Sequence, residues 1–434
     1  MKDRANNYCR LLSHEKEALN LIKFQSFAGF LILAFLAWLI SENKKRVNYN
    51  TILIGLLLQL FAAFTLIKLP FSQSFFMWLN KIVSALQEST SEGTSFVFGY
   101  LAGGSSPFEI TDPGSSFILA FQSLPLVLLI SALSALLFYW KIIPVIVKGF
   151  SWVLSKTMKV SGVEGVGVSA NIFVGMVESP LLVKPYISTI SRSALFTIMT
   201  SGMATIAGTV MVLYSSILNN IIPGITGHLL TASLISAPAA ITVSKLMIPE
   251  TDTAPEVNIK LVNSSESSMD AITKGTLDGV SLLINIIAML VVLVALVHLL
   301  NLILGIIPDI GGEPITIQRL LGYIMAPVTW IMGIPWSEAK TTGSLMGIKT
   351  VLNELIAYQN MASLPDSVIS ERSRLIMTYA MCGFANLGSL GIMIGGMGAM
   401  APERRNEIVS LGMRSIVAGT LATCMTGAVM GIIY

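Results

Sequence analysis

Long uncharged apolar runs, separated by short charged segments, dominate the chain. The runs cover residues 24–40, 51–67, 117–140, 193–244, 279–307, 375–402 and 415–434, with the histidines counted as neutral. A helix crosses a bilayer in about 20 residues, so the run 193–244 must hold two crossings, joined by the turn-forming residues 219–224. The pattern therefore predicts an all-α polytopic membrane protein with about eight transmembrane helices.

Composition agrees with this pattern. Of the 434 residues, 53% are hydrophobic and only 12% are charged, and the mean hydropathy is +0.75. A soluble domain carries about twice that charge. The net charge of +3 is too small to indicate a nucleic-acid partner, so the expected surroundings are the lipid bilayer. No small-residue cleavage site follows the first run, which we interpret as a retained span.

Two regions, about 144–190 and 316–360, are too polar for simple crossings and too apolar for loops. Non-helical backbone survives at membrane depth only where protein or a water-filled cavity covers it. We therefore predict that both regions are re-entrant helical hairpins. The stretch 70–110 is expected to form interfacial and external helix rather than a crossing.

The two hairpin regions are followed by similar breaks in apolar helices, GMATIAG at 202–208 and GFANLGS at 383–389. An isolated carboxylate precedes each break, Glu178 or Glu354, and a second lies further upstream, Glu164 or Glu338. Corresponding features are about 174 to 181 residues apart. Interrupted apolar segments at matching positions of two halves indicate a transporter built from inverted repeats, with its site near the membrane midplane.

These features divide the chain into three predicted parts. Residues 1–110 form N-terminal spans with interfacial or external helices, as a scaffold. Residues 111–250 form the first repeat, with a hairpin at about 144–190 and a broken helix at about 193–214. Residues 251–434 form the second repeat, with a hairpin at about 316–360, a broken helix at about 372–400 and the final span.

Basic residues predict the orientation. Cytoplasmic loops are enriched in Lys and Arg. The first loop carries residues 44–46 (KKR) and the last carries Arg404, Arg405 and Arg414, which places both loops in the cytoplasm. Both termini then lie outside the cytoplasm, in a multi-pass protein of the inner (plasma) membrane. Basic residues in the N-terminal tail, together with Arg372 and Arg374, argue against this assignment.

Two candidate functional carboxylates lie in apolar segments, where an ionised side chain is energetically unfavourable. An ionised carboxylate at a helix centre costs about 2.5 to 3.5 kcal/mol, so Glu178 and Glu354 should face a cavity and meet a partner there. In a functional role each would accept hydrogen bonds from substrate hydroxyl or amide groups. In a structural role each would cap a broken helix or pair with Lys184 or Lys349.

Asn171 and Thr205 stand where helices are expected to unwind. Unwound carbonyls, with an amide and a hydroxyl nearby, can form an oxygen shell for a small cation. The alternative is that both residues simply cap their own helices. Asn386 occupies the matching position of the second half, and Phe384 beside it offers a flat apolar surface for a planar ligand. Since no His lies beside the oxygen set, Na⁺ is favoured over H⁺ as the coupling ion.

Five motifs, in order, closely resemble the concentrative nucleoside transporter family: NIFVGMVESPLLVKPY (171–186), GMATIAG (202–208), GIPW (333–336), KTVLNE (349–354) and CGFANLGS (382–389). The resemblance runs from about Gly93 to Tyr434. It implies eight spans, two re-entrant hairpins, a homotrimer with one site per protomer, and nucleoside uptake driven by a cation gradient.

Carried over by position, the resemblance also implies roles for individual residues. The ion site would use Asn171, Val174, Thr205 and Ile206, with Val and Ile acting through their carbonyls. The nucleobase would meet Met176, Val177, Glu178 and Val210. The ribose would meet Glu354, Asn386 and Ser389, with Phe384 lining the pocket.

One departure from the family pattern concerns the base. Relatives usually carry Gln followed by Thr or Ser before the first glutamate, and here Met176 and Val177 replace them. Two polar contacts to the base edge are lost, while every ribose-side position is kept. A purine nucleoside, or a C-linked nucleoside such as pseudouridine, is therefore a candidate substrate.

The chain does not read as an enzyme, because it has no HExxH, GxSxG or Walker A motif and no His near a candidate carboxylate. The sequence favours a secondary active transporter that imports nucleosides by cation symport. The alternatives are a passive channel or a transporter for another small polar solute.

Overall fold

The structure is a computed structural model that describes residues 2–109, 117–176, 178–219, 221–251, 265–309, 312 and 314–434. These residues form 19 α-helices and no strand. In chain order the helices are α1 (Lys2–Leu39), α2 (Tyr49–Lys68), α3 (Pro70–Phe98), α4 (Leu119–Gln122), α5 (Leu126–Tyr139), α6 (Ile142–Met158), α7 (Gly162–Asn171), α8 (Glu178–Leu182), α9 (Lys184–Ile187), α10 (Arg192–Ala204), α11 (Gly208–Leu218), α12 (Ile225–Met247), α13 (Ser268–Leu304), α14 (Ile317–Ile331), α15 (Trp336–Val351), α16 (Glu354–Ser363), α17 (Glu371–Met381), α18 (Leu387–Met400) and α19 (Arg405–Ile433).

Seven helical segments of the described chain are long and apolar enough to cross a membrane. They are Asn20–Leu39, Tyr49–Lys68, Leu119–Tyr139, Arg192–Leu218, Ile225–Met247, Ser268–Leu304 and Pro402–Ile433. The eighth predicted crossing corresponds to the shorter helices α17 and α18, which follow each other across a break. The prediction of an eight-span helical membrane protein is confirmed. The helix α3 is not among the seven segments.

Two hairpins precede the broken helices. Helices α14 and α15 bend by 118° at their junction, and α6 and α7 are joined by a short turn in which Lys159 has φ 56°. Within the predicted hairpin regions, α7 ends at Asn171 and α15 ends at Val351. Glu178 and Glu354 follow these ends, at the N-termini of α8 and α16. The predicted domain limit at 110–111 lies outside the described residues.

The upstream carboxylates hold the hairpins in place. Glu164 forms a capping box with Ser161 at the start of α7, and its Oε1 lies 2.5 Å from Nζ of Lys245 on α12. Glu338, near the start of α15, accepts hydrogen bonds from the backbone N–H and the hydroxyl of Ser370, at 3.2 and 3.1 Å. Both carboxylates tie a hairpin to a later helix, so their role is structural.

The two helix breaks meet in the core. Helix α10 ends at Ala204 and α11 begins at Gly208, while α17 ends at Met381 and α18 begins at Leu387. A Cβ on Gly383, in the second break, would lie 2.9 Å from both the carbonyl carbon and oxygen of Ala204 in the first. Real Cβ contacts are not this short, so the glycine permits the close approach of the two breaks.

The long helix α13 packs along α5 through small residues. A Cβ on Gly275 would lie 2.6 Å from Cβ of Ala135, and one on Gly279 would lie 3.1 Å from Cα of Leu128. Small residues four positions apart allow two apolar helices to approach closely inside a membrane. Residues 282, 286 and 289 continue this same face of α13 along the helix.

Candidate functional site

A cavity of about 160 Å³ lies where the two breaks, the starts of α8 and α16, and the inner face of α13 come together. All described residues that the sequence analysis assigned to substrate line this one cavity. They are Met176, Glu178, Val210, Glu354, Phe384, Asn386 and Ser389. Val177 lies outside the described residues.

Glu354 is the best-defined group of the cavity. It begins α16, whose N-cap is Asn353, and only 4% of its surface is exposed. The hydroxyl of Tyr214 donates to its Oε1 at 2.5 Å, and Nδ2 of Asn386 donates to its Oε2 at 2.9 Å. A carboxylate can accept about four hydrogen bonds, so each oxygen keeps the capacity for another donor.

Lys349 is not the ion-pair partner of Glu354. Its ammonium is fully buried and donates to Oγ1 of Thr423 at 3.3 Å. Among the described residues, no ion pair joins it to Glu354, although the two charges attract each other. The suggested structural pairing is therefore absent there, and the direct partners of the carboxylate are the neutral donors Tyr214 and Asn386.

The side chain of Asn386 makes two hydrogen bonds. As the N-cap of α18, its Oδ1 accepts a hydrogen bond from the backbone N–H of Ser389 at 2.7 Å, while its amide nitrogen reaches Glu354. Helix capping thus engages the oxygen of this side chain. The same geometry fixes the distance between the second break and α16.

The turn before α8 positions Met176 and Glu178. Gly175 has φ 115°, a region that L side chains rarely adopt, and a Cβ there would lie 2.8 Å from Oε2 of Glu178. A Cβ on Gly202 would lie 3.2 Å from Cβ of Met176. Both glycines therefore let the chain carry these side chains close to the first break.

The proposed ion ligands also lie at the first break. Nδ2 of Asn171 donates to Oγ of Ser201 at 3.4 Å, and its buried Oδ1 has no hydrogen-bond partner among the described residues. Thr205 donates its hydroxyl proton to the Ser201 carbonyl at 2.9 Å, which leaves its oxygen lone pairs available. The Ile206 carbonyl accepts a long bond, 3.5 Å, from Ser233. An uncommitted buried amide oxygen beside an unwound helix fits a hard cation.

Among the cavity residues that sequence reasoning missed are two with polar side chains, Tyr214 and Asn285. Tyr214 lies one turn after Val210 on α11, a spacing that puts both on the same face. Asn285 enters from α13, where its polarity in an apolar run was the available signal. Neither belongs to the motifs that carried the family resemblance.

Family models match most of the chain. One described as "Na+ dependent nucleoside transporter C-terminus" matches residues 228–431, and its N-terminal counterpart matches 28–101. A third, described as "Nucleoside recognition", matches 120–221.

Individual proteins agree with these matches. The uncharacterized transporter YutK of Bacillus subtilis is 36% identical over 409 residues, covering 93% of this chain and 97% of the relative. The nucleoside permease NupC of Helicobacter pylori is 32% identical, covering 94% and 97%. The structure of CNTnw in an inward-facing substrate-bound state superposes with a TM-score of 0.88 at 31% identity, covering 95% and 98%. With these similarities along nearly its whole length, the chain belongs to the concentrative nucleoside transporter family.

Proposed function

We propose that this protein imports nucleosides across the cytoplasmic membrane by symport with a cation. The observation that carries the proposal is Glu354, a buried carboxylate at the junction of the two repeats that faces a shared cavity and is oriented by one donor on each oxygen. Members of the family are transporters rather than enzymes. A buried charge without an ion pair is costly, and a polar ligand offsets that cost.

The ribose is the ligand part that suits Glu354. Vicinal hydroxyls are donors, and the carboxylate retains acceptor capacity on both oxygens. Hydrogen bonds to a charged acceptor contribute about 1.5 to 3 kcal/mol each. Asn386 and Ser389, at the start of α18, line the same side of the cavity, and Phe384 adds an apolar surface.

The base is proposed to lie against Met176, Val177, Glu178 and Val210. Met176 and Val210 present apolar groups there, and Glu178 presents a carboxylate. An apolar surface suits a larger base, or one that exposes a different polar edge than uracil or cytosine. The proposed preference is accordingly for a purine nucleoside or a C-linked nucleoside.

The proposed coupling ion is Na⁺, held by the side-chain oxygens of Asn171 and Thr205 and the carbonyls of Val174 and Ile206. Bound there, the ion supplies the electrochemical driving force. The site adjoins the turn that carries Met176 and Glu178, so ion binding and substrate binding would stabilise the same arrangement of that turn. Such coupling is reciprocal between the two ligands. If H⁺ drives uptake instead, Glu178 or Glu354 has to carry it.

The proposed orientation has both termini outside the cytoplasm. At one end of the molecule, Glu42 after α1 pairs with Arg192 and Arg414. At the other end, Arg372 and Arg374 donate to backbone carbonyls, including those of Gly431, Met361 and Leu364. In the proposed orientation these two arginines lie outside the cytoplasm, where they donate to carbonyls near helix ends.

The proposed assembly is a homotrimer, as the family resemblance implies. Val291, Leu299 and Leu302 on the outer face of α13 are each more than half exposed, so this helix offers an apolar surface to a neighbouring protomer or to lipid.

The test is uptake of a panel of radiolabelled nucleosides into proteoliposomes with an imposed Na⁺ or proton gradient. We expect accumulation above the external concentration, and an equal loss for every nucleoside in Glu354→Gln. Equilibration without accumulation would indicate a passive channel. Absence of uptake for every nucleoside would indicate another small polar solute. A loss in Glu354→Gln restricted to one base would refute the ribose assignment.

A further inference from the structure

One face of α13 lines the cavity. The residues on this face are Leu282, Asn285, Ile286, Met289 and Leu293. Their spacing of three or four positions is that of a single helical face. Ile284 lies on a different face, is 59% exposed and does not line the cavity, whereas Asn285 lies at the edge of the stripe and lines the cavity although it is also exposed. Asn285 is thus the one polar residue of the cavity-facing stripe on this helix.

Packing does not explain Asn285. Within the described part of the chain, its amide has no hydrogen-bond partner, and it lies in a span with a mean hydropathy of 3.0. A second amide of the same helix, Asn301, is fully engaged: its Oδ1 accepts from the Ile317 N–H at 2.9 Å and its Nδ2 donates to Gln318 at 3.0 Å. Asn301 therefore joins two helices, whereas the amide of Asn285 is available to a ligand.

The position of Asn285 along α13 indicates which part of a ligand it meets. Met289 and Leu293 reach Gly388, beside Asn386, since a Cβ on Gly388 would lie 3.2 Å from Cε of Met289 and 3.8 Å from Cδ1 of Leu293. Asn285 lies one turn earlier, about 6 Å along the axis. A nucleoside whose hydroxyls meet Glu354 and Asn386 would present its other end, the base, at that level.

We propose that Asn285 is a specificity-determining residue that reads the nucleobase from α13. A side-chain amide offers a donor group and an acceptor, and it complements a base edge that carries both. The thioether side chain of Met176 offers no such pair of hydrogen-bonding groups. The inference rests on the proposed function and adds to it a polar contact from a helix that belongs neither to a hairpin nor to a broken helix.

The test compares nucleosides that differ only at the base edge. Inosine is paired with purine riboside, and uridine with the 2-pyrimidinone riboside, since the second member of each pair lacks one exocyclic polar group. Each unlabelled nucleoside competes with uptake of a labelled one in proteoliposomes. The variants are Asn285→Leu and Asn285→Ser, with Ile284→Ala as the matched control on the same turn.

For at least one pair, we expect the Asn285 variants to bind the complete nucleoside about 2- to 12-fold more weakly, the loss of one neutral hydrogen bond. The truncated analogue, the Na⁺ dependence and the Ile284→Ala variant should be unaffected. Equal losses within both pairs, or no loss, would overturn the role of Asn285. If the unmodified protein transports no nucleoside, the proposed function itself fails, and the two failures are thus distinguishable.

Discussion

Replacing Tyr214 with Phe tests how Glu354 is held ready for substrate. The Tyr214 ring packs against that of Tyr358, with centroids 5.1 Å apart, and both side chains are almost completely buried. Phe keeps the ring and its packing. The change removes the one hydroxyl that donates to Oε1 of Glu354 at 2.5 Å, from a helix 140 residues earlier in the chain.

The expected magnitude follows from the charge of the acceptor. A hydrogen bond to an ionised group contributes about 1.5 to 3 kcal/mol, which corresponds to about 12- to 150-fold in affinity if the whole contribution positions the carboxylate for substrate. Because Glu354 is proposed to meet the ribose, the loss should be similar for every nucleoside. Transport itself should persist at saturating substrate, since the carboxylate remains.

The assay is the concentration dependence of nucleoside uptake in proteoliposomes, and Tyr358→Phe is the matched control. The hydroxyl of Tyr358 donates to the backbone carbonyl of Thr378 at 2.8 Å rather than to Glu354. This control should lower thermal stability and leave nucleoside affinity unchanged. The reasoning would be refuted if Tyr214→Phe bound nucleosides as tightly as the unmodified protein, or if both variants lost affinity equally.

Three further variants test the helix break, the ion site and the base site. Gly383→Ala should destabilise the detergent-purified protein by about 1 to 3 kcal/mol, because its Cβ would meet the backbone of the first break. Gly391→Ala should not destabilise it, because a Cβ there meets nothing within 4 Å. Equal Tm values for the two variants would contradict the close approach of the two breaks. Asn171→Ala should raise the Na⁺ concentration needed for half-maximal uptake at constant pH; uptake that ignores Na⁺ and collapses with a protonophore would transfer coupling to a glutamate. The unmodified protein should take up uridine and cytidine poorly. Met176→Gln combined with Val177→Thr should shift substrate preference toward uridine without changing the ion dependence of uptake. If the unmodified protein already prefers uridine and the double change has no effect, these positions do not contact the base.

The crossings and the helix breaks could be predicted from the sequence because both are local properties. A bilayer requires about 20 apolar residues per helix, and every lipid-exposed backbone group must be paired within its own segment. The two breaks and the costly carboxylates Glu178 and Glu354 stand out against that background. The prediction that Glu178 and Glu354 share a cavity depended on the inverted repeat, because no local sequence pattern connects two residues so far apart in the chain.

Only the tertiary structure determined which partner each polar side chain contacts. Glu164 and Glu354 are both buried carboxylates in polar stretches, yet one pairs with Lys245 and the other receives neutral donors in a cavity. Asn285 and Asn301 lie on one apolar helix, and only the second is engaged by a neighbouring helix. In a membrane the partner of a polar side chain depends on which helices pack together, and the contacts named here join residues from 16 to 140 positions apart.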